Sequence, residues 1–118
     1  MQVKGDGYCV SYDETTGVVK FEGTLRLRDV EEYAPIDKLL DEAKDSALEV
    51  VTVDVRALRF LNSAGITVLF RFVLKMRQQA TSQVIVQGAD GVPWQGRSLP
   101  NLEKLMPELQ LVMECVEP

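Results

Sequence analysis

The chain has no histidine, and only two of its 118 residues are cysteine. The absence of histidine excludes a histidine general base, a serine–histidine–aspartate triad and any histidine-ligated metal site. Cys9 and Cys115 lie near opposite ends of the sequence and form no CxxC motif, so they do not predict a metal site. We expect both to be small apolar core residues in a reducing compartment, and a disulfide would require the two end strands to lie close together.

Long apolar runs and an excess of positive charge are also missing. The most apolar stretch, residues 66–74, is short and is interrupted by Arg71, so it predicts no transmembrane helix. The first seven residues are polar and lack the apolar segment of a signal peptide. With 13 Lys plus Arg against 18 Asp plus Glu, the net charge is −5, which disfavours sequence-independent nucleic-acid binding. These features predict a cytoplasmic protein with no membrane and no nucleic-acid partner.

The remaining composition is that of a globular domain, with 46% apolar and 26% charged residues. A chain of this length suits one domain over residues 1–118. Its strand and helix patterns alternate after an opening hairpin around the turn-forming residues 13–17. The predicted elements are, in chain order, strands over 8–12 and 18–22, a helix over 30–45, a strand over 49–55, a link over 56–61, a helix over 63–80, a strand over 83–87, a loop with weak helical pieces over 88–100, a short helix near 102–106 and a strand over 109–116.

This β-β-α-β-α-β-α-β order predicts an α/β fold, a sandwich in which helices pack on a mixed sheet. The strands that are linked by helices are expected to cross over with right-handed connections. For the first helix, Asp29 is the expected N-cap residue. Pro35 conflicts with a helix start at Val30, because proline is tolerated only in the first turn.

The segment 60–66, which reads Phe-Leu-Asn-Ser-Ala-Gly-Ile, joins the core strand to the most apolar predicted helix. Ser63 is expected at or beside the N-cap of this helix, where a side-chain oxygen accepts a bond from a free N–H group. Local sequence alone therefore predicts a helix cap. A helix start also carries partial positive charge and unbonded N–H groups, and both favour an anion.

In this setting the motif resembles the phosphorylation loop of STAS domains, the anti-sigma factor antagonists, whose pattern is Asp-Ser-Ser/Thr-Gly-Leu/Ile. The resemblance extends over residues 8–116 and includes Gly-Thr-Leu at 23–25 and the β-branched run at 50–55. By position, Ser63 matches the phospho-acceptor serine of the family and Gly65 matches the motif glycine. Asn62 stands where the family usually has aspartate. Ala64 replaces the second hydroxyl residue, which leaves one acceptor in the motif.

The resemblance implies a single STAS-like domain that acts as a non-enzymatic bacterial signalling module, without cofactor or metal. Its partner would be a serine kinase or anti-sigma factor, with a serine phosphatase as the opposing enzyme. Phosphorylation would add about −1.5 to −2 charges at Ser63 and weaken the binding of a partner docked there. The alternative is a STAS scaffold or oligomerisation module, a homodimer for example, in which Ser63 is not phosphorylated.

Partner contacts are expected around Ser63. Steps of about 100° per residue place Phe70 and Leu74 on the same side of the long helix as Ser63, outside the main core stripe. These two side chains either pack under a neighbouring loop or helix, or contact a partner. Four arginines are expected in two loops near Ser63, as solvated charges or as contacts to an acidic partner or a phosphate: Arg26, Arg28, Arg56 and Arg59. The predicted partner-binding residues are Asn62, Ser63, Ala64, Gly65, Thr67, Phe70, Leu74, Arg59 and Arg26.

Other functions have less support in the sequence. Asp54 at a strand end is reminiscent of a phospho-aspartate receiver, but the acidic pocket and lysine that a receiver needs are not evident. The sequence contains no GxxxxGK[ST] loop of the kind that would support a nucleotide sensor. It also contains no set of residues that predicts an enzyme active site. Trp94, within 88–100, either anchors that segment to the core or is exposed to a partner.

Overall fold

Six strands form one mixed sheet in the computed structural model of the chain, which describes residues 1–46 and 48–114. The strands are β1 (Gln2–Gly5), β2 (Tyr8–Asp13), β3 (Val18–Leu25), β4 (Val50–Leu61), β5 (Gln83–Ala89) and β6 (Gln110–Glu114). The helices of the described residues are α1 (Ala34–Asp45), α2 (Ser63–Gln79) and α3 (Pro93–Leu105). The order of strands across the sheet follows their order along the chain.

The first three strands are antiparallel neighbours, and β3 to β6 run parallel to one another. A helix connects each pair of neighbouring parallel strands. Because such crossovers are right-handed and all proceed in one direction across the sheet, the three helices lie on one face. The predicted α/β sandwich with a mixed sheet is confirmed.

Alternation along β4 shows how the sequence builds the core. Val51, Val53 and Val55 are buried under the helices, as are Val84 and Val86 of the next strand. The helices contribute the opposite side of the core, through residues spaced three and four positions apart: Ile36, Leu39, Leu40 and Ala43 in α1 and Val68, Leu69, Phe72, Val73 and Met76 in α2. None of the helices among the described residues has the length and apolar character needed to cross a membrane.

The first helix begins at Ala34 and not near Val30 as predicted. Asp29 caps a separate turn, since its Oδ1 accepts the Glu32 N–H at 3.0 Å. Pro35 then lies in the first turn of α1, where its missing N–H costs no helical hydrogen bond. The conflict between Pro35 and the predicted helix is thus resolved by a later start.

The predicted link over 56–61 is wrong, because β4 continues to Leu61. Its second half pairs with β3, and the register shifts on either side of Glu22 and Gly23 accommodate the longer strand. Gly23 has a φ of 92°, and a Cβ there would lie 2.1 Å from the carbonyl oxygen of Gly7. Glycine is therefore required at the point where the β1–β2 turn meets the end of β3.

The loop predicted over 88–100 is also wrong, since β5 reaches Ala89 and α3 begins at Pro93. Two buried side chains fix this helix on β4. Trp94 Nε1 donates to the Leu58 carbonyl at 2.8 Å, and Gln95 Nε2 donates to the Val55 carbonyl at 2.7 Å. Trp94 is thus an anchor to the core and not an exposed contact.

Two further expectations concern the chain ends. The polar segment before β2 forms an additional edge strand, β1, which its sequence pattern does not predict.

Cys9 on β2 is half-buried outside the core, and its sulfur accepts a hydrogen bond from Gln2 Nε2 at 3.0 Å. Three strands separate β2 from β6, so those two strands are not close together. Cys115 and the predicted strand positions 115–116 lie outside the described residues.

Candidate functional site

The strand β4 passes directly into α2 at Asn62, which is the N-cap residue of the helix. Its backbone is extended (φ −78°, ψ 174°), and its Oδ1 accepts the Gly65 N–H at 3.1 Å. Ser63 is consequently the first residue of α2, next to the N-cap as predicted, and its side chain is exposed.

The Asn62 side chain also joins two other parts of the chain. Its Nδ2 donates to the Leu27 carbonyl at 2.7 Å, and its Oδ1 accepts the Tyr33 hydroxyl at 2.6 Å. The Asn62 N–H donates to the Leu25 carbonyl at 3.2 Å. An aspartate could accept from Tyr33 and Gly65, but it could not donate to Leu27. The hydrogen bond to Leu27 therefore explains why an amide stands at position 62, where STAS domains usually have a carboxylate.

Tyr33 and Gly65 hold the start of α2 close to the core. Tyr33 is fully buried, and burial raises the pKa of its phenol, so the hydroxyl remains a hydrogen-bond donor at neutral pH. A Cβ on Gly65 would lie 2.2 Å from Leu61 Cδ1 and 2.8 Å from the Tyr33 hydroxyl. Gly65 is buried and offers no side chain to a partner, and its role in the structure is to permit this close packing.

The hydroxyl of Ser63 is free at the surface. Among the described residues, no group forms a hydrogen bond with its Oγ, whereas its carbonyl accepts the Thr67 hydroxyl at 3.0 Å. The first turn of α2 contains no acidic side chain. The partial positive charge of this helix end is therefore available to an anion at Ser63, including a phosphate carried by the serine itself.

Four of the predicted contact residues lie along one side of α2, and we call Ser63, Thr67, Phe70 and Leu74 the Ser63 face. Thr67 is exposed, and Leu74 is 38% exposed despite its apolar side chain. Phe70 is half-buried and packs against the core. Ala64, beside this face, is half-buried. Phe70 is thus packed partly inward, as the first alternative expects, whereas Leu74 is turned to solvent and contact with a partner stays a prediction.

The four arginines differ in what they contact. Arg26 lies over the ring of Phe60, 4.8 Å from its centroid, and Phe60 is 38% exposed. Arg28 pairs with Glu32 on the adjacent turn at 3.5 Å. The chain neighbours of Arg26 place it close to the start of α2, because the carbonyl groups of Leu25 and Leu27 both accept hydrogen bonds from Asn62.

Arg56 and Arg59 both lie on β4. Arg56 pairs with Asp54 at 2.9 Å and with Glu114 at 3.0 Å, so its charge is neutralised and it ties β4 to β6. Arg59 is exposed and lines, together with Asp90, a cavity of about 490 Å³ at the ends of β4 and β5. Asp54 is 4% exposed, and its engagement with Arg56 gives it a structural role.

The mixed sheet and its layer of three helices define the STAS-like fold of anti-sigma factor antagonists. Among solved structures, the chain is similar to an anti-sigma factor antagonist from Mycobacterium paratuberculosis, with 20% identity and a TM-score of 0.59 over 93% of this chain and 82% of that chain. It is also similar to SiaC of Pseudomonas aeruginosa, with 12% identity and a TM-score of 0.66 over 98% of both chains.

A third similar structure is a chain in the complex of the diguanylate cyclase SiaD with its activator SiaC from Pseudomonas aeruginosa. The identity is 10% and the TM-score 0.71, over 98% of this chain and 99% of that chain. No family model and no curated protein matches the sequence. At these identities the likeness establishes the fold.

Proposed function

We propose that the chain is a non-enzymatic signalling module that binds a partner protein through the Ser63 face and is switched by phosphorylation of Ser63. The observation that carries this proposal is the exposed Oγ at the first residue of α2, which has no hydrogen-bond partner in the described part of the chain. The fold supports a protein-binding role, because the similar structures include an anti-sigma factor antagonist and a complex of SiaC with the enzyme it activates.

The expected partner is a serine kinase or anti-sigma factor, opposed by a serine phosphatase, in the cytoplasm. The kinase would supply ATP, metal and base, while this chain would supply the acceptor hydroxyl. A phosphate at Ser63 adds about −1.5 to −2 charges. The start of α2 tolerates that charge, but a partner surface closed over Ser63 would have to desolvate it. Phosphorylation is therefore expected to release the partner while the fold of the chain is preserved.

A second function is favoured by the exposed Leu74 on the Ser63 face. A partner can bury this apolar side chain whether or not Ser63 is modified. The chain would then act as a scaffold, an oligomerisation module or a constitutive activator of an enzyme, with Ser63 as an unmodified contact.

The test is incubation with ATP and the serine kinase that is encoded nearest to this chain in its genome, followed by intact mass measurement. One phosphate is expected on the wild-type chain and on Thr67→Ala, a matched control that lacks the neighbouring exposed hydroxyl. Ser63→Ala should remain unlabelled. An unmodified wild-type chain, or equal labelling of Ser63→Ala, would remove the switch and leave the second function.

A further inference from the structure

We infer that the chain has a binding site for an aliphatic amine at the end of the sheet opposite Ser63. The site is a cavity of about 400 Å³ lined by Tyr12, Glu14, Glu42, Asp45 and Ser46. Tyr12 pairs with Val19 near the start of β3, whereas Ser63 follows the end of the parallel strand β4. The site is thus separate from the Ser63 face, and the inference does not depend on the proposed function.

The first observation is a buried hydroxyl that lacks a partner. Tyr12 is 5% exposed, and within the described ranges 1–46 and 48–114 its hydroxyl has no hydrogen-bond partner. Buried polar groups in native proteins are nearly always bonded, so an orphaned hydroxyl in a cavity wall indicates a missing partner. A phenolic oxygen can accept a hydrogen bond from an ammonium group.

The second observation is the negative charge that surrounds this hydroxyl. Glu14 and Glu42 are exposed, and neither has an ion-pair partner among the residues that the structure describes. Asp45 is paired with Lys44 at 3.0 Å, and the Met1 ammonium is bonded to the Tyr12 carbonyl at 3.3 Å. Lys44 and the Met1 ammonium thus have partners within the chain, while Glu14 and Glu42 are in no ion pair among the described residues.

The end of α1 adds to this field. The helix terminates at Asp45 with Ser46 as its C-cap residue, and both line the cavity. Carbonyl groups at a helix C-terminus carry partial negative charge, which favours a cation. The free carboxylates, the helix end and the phenolic oxygen together select a positively charged ligand that donates hydrogen bonds.

The kind of cation that the site favours is organic and not a metal ion. No group of three cysteine, aspartate or glutamate side chains in the described part of the chain is close enough to hold a metal. A diamine or polyamine carries ammonium groups separated by methylenes, which suits separate carboxylates beside an aromatic wall. Because the Tyr12 hydroxyl is buried, the side chains that cover it would have to move aside as the amine enters.

Calorimetric titration with spermidine tests the inference at about 0.15 M salt, where charges more than roughly 8 Å apart are screened. Saturable one-to-one binding is expected for the wild-type chain and for Glu103→Gln, a charge-matched control on the exposed side of α3. Tyr12→Phe and Glu42→Gln should each weaken binding about fivefold or more, the effect of one lost hydrogen bond.

Thermal unfolding without ligand provides the second readout. Tyr12→Phe should unfold at the same temperature as the wild-type chain or higher, because it removes an unbonded hydroxyl. A lower unfolding temperature would show that this hydroxyl is already bonded in the free protein and would overturn the inference. Absence of saturable spermidine binding, equal weakening by Glu103→Gln, or equal binding of Mg²⁺ at matched ionic strength would overturn it as well.

Discussion

The Tyr33 hydroxyl donates to Asn62 Oδ1 at 2.6 Å, across 29 positions of sequence. The same oxygen caps α2 at Gly65, and the same amide donates to the Leu27 carbonyl. One side chain therefore fixes the start of α2, the approach to α1 and the segment after β3. This fixed frame leaves the neighbouring Ser63 as the exposed group.

Asn62→Asp is expected to destabilise the fold by about 1–3 kcal/mol, because the Leu27 carbonyl loses its donor and faces a carboxylate oxygen instead. A favourable charge at the helix N-terminus offsets only about 0.3–1 kcal/mol of this loss. Urea unfolding measures the difference. Asn101→Asp, on the exposed side of α3, adds the same charge and loses only an exposed bond of 3.4 Å to the Arg97 carbonyl, so it should cost clearly less. Equal stabilities of the two variants would contradict the role assigned to Asn62.

Gly65→Ala and Gly96→Ala should change stability in opposite directions. A Cβ at position 65 would lie 2.2 Å from Leu61 Cδ1, so the alanine overpacks the start of α2 and costs about 1–3 kcal/mol. Gly96 lies within α3 and has nothing within 4 Å of an added Cβ, so alanine should stabilise by about 0.5–1 kcal/mol. Thermal unfolding distinguishes the signs, and a stabilising Gly65→Ala would refute the packing described here.

The pair of Asp54 and Arg56 predicts acid sensitivity. Burial acts to raise the pKa of Asp54, but the hydrogen bonds and charge of Arg56 outweigh it and hold that pKa below its ordinary value. A carboxyl with a depressed folded pKa stabilises the protein fully above its unfolded pKa, about 3.9. That contribution is lost as the pH falls through the folded pKa.

Asp54→Asn should therefore be less stable than the wild-type chain at neutral pH, by about 1–3 kcal/mol. The difference should begin to narrow as the pH falls below about 4, where the carboxyl of the unfolded chain takes up a proton, and should be lost once the pH passes below the depressed pKa of the folded state. Urea unfolding at a series of pH values checks this, with Asp90→Asn as an exposed control. A difference that stays constant down to acidic pH would show that the ion pair does not set the acid response.

The fold was predictable where periodicity is strong. The β-branched run of β4 and the apolar stripe of α2 identified the two elements that meet at Ser63, and Asn62 was recognisable as a cap by its residue type. The order of elements then placed the motif correctly at the start of the longest helix. These features depend on neighbouring residues, which is the information that a single sequence carries.

What could not be predicted depends on distant contacts. The segment 88–100 is rich in glycine and proline, yet Trp94 and Gln95 make part of it a helix by bonding to carbonyl groups on β4. The partner of Asn62 is Tyr33, and the partner of Arg56 is Glu114, 58 residues away. No local pattern reveals such pairs, so the hydrogen bonds around Asn62 and the ion pairs of Arg56 could be seen only in the structure.

The claim that Ser63 is a switch is best tested by a pair of affinity measurements. The serine kinase encoded nearest to this chain is titrated with the unmodified chain and with the chain phosphorylated at Ser63. Phosphoserine at 63 is expected to weaken binding at least about tenfold, or 1.4 kcal/mol, with unchanged thermal unfolding. Gln78→Glu, which adds charge at the far end of α2, should leave binding unchanged. Equal affinities of the phosphorylated and unmodified forms would contradict the claim that Ser63 is the switch.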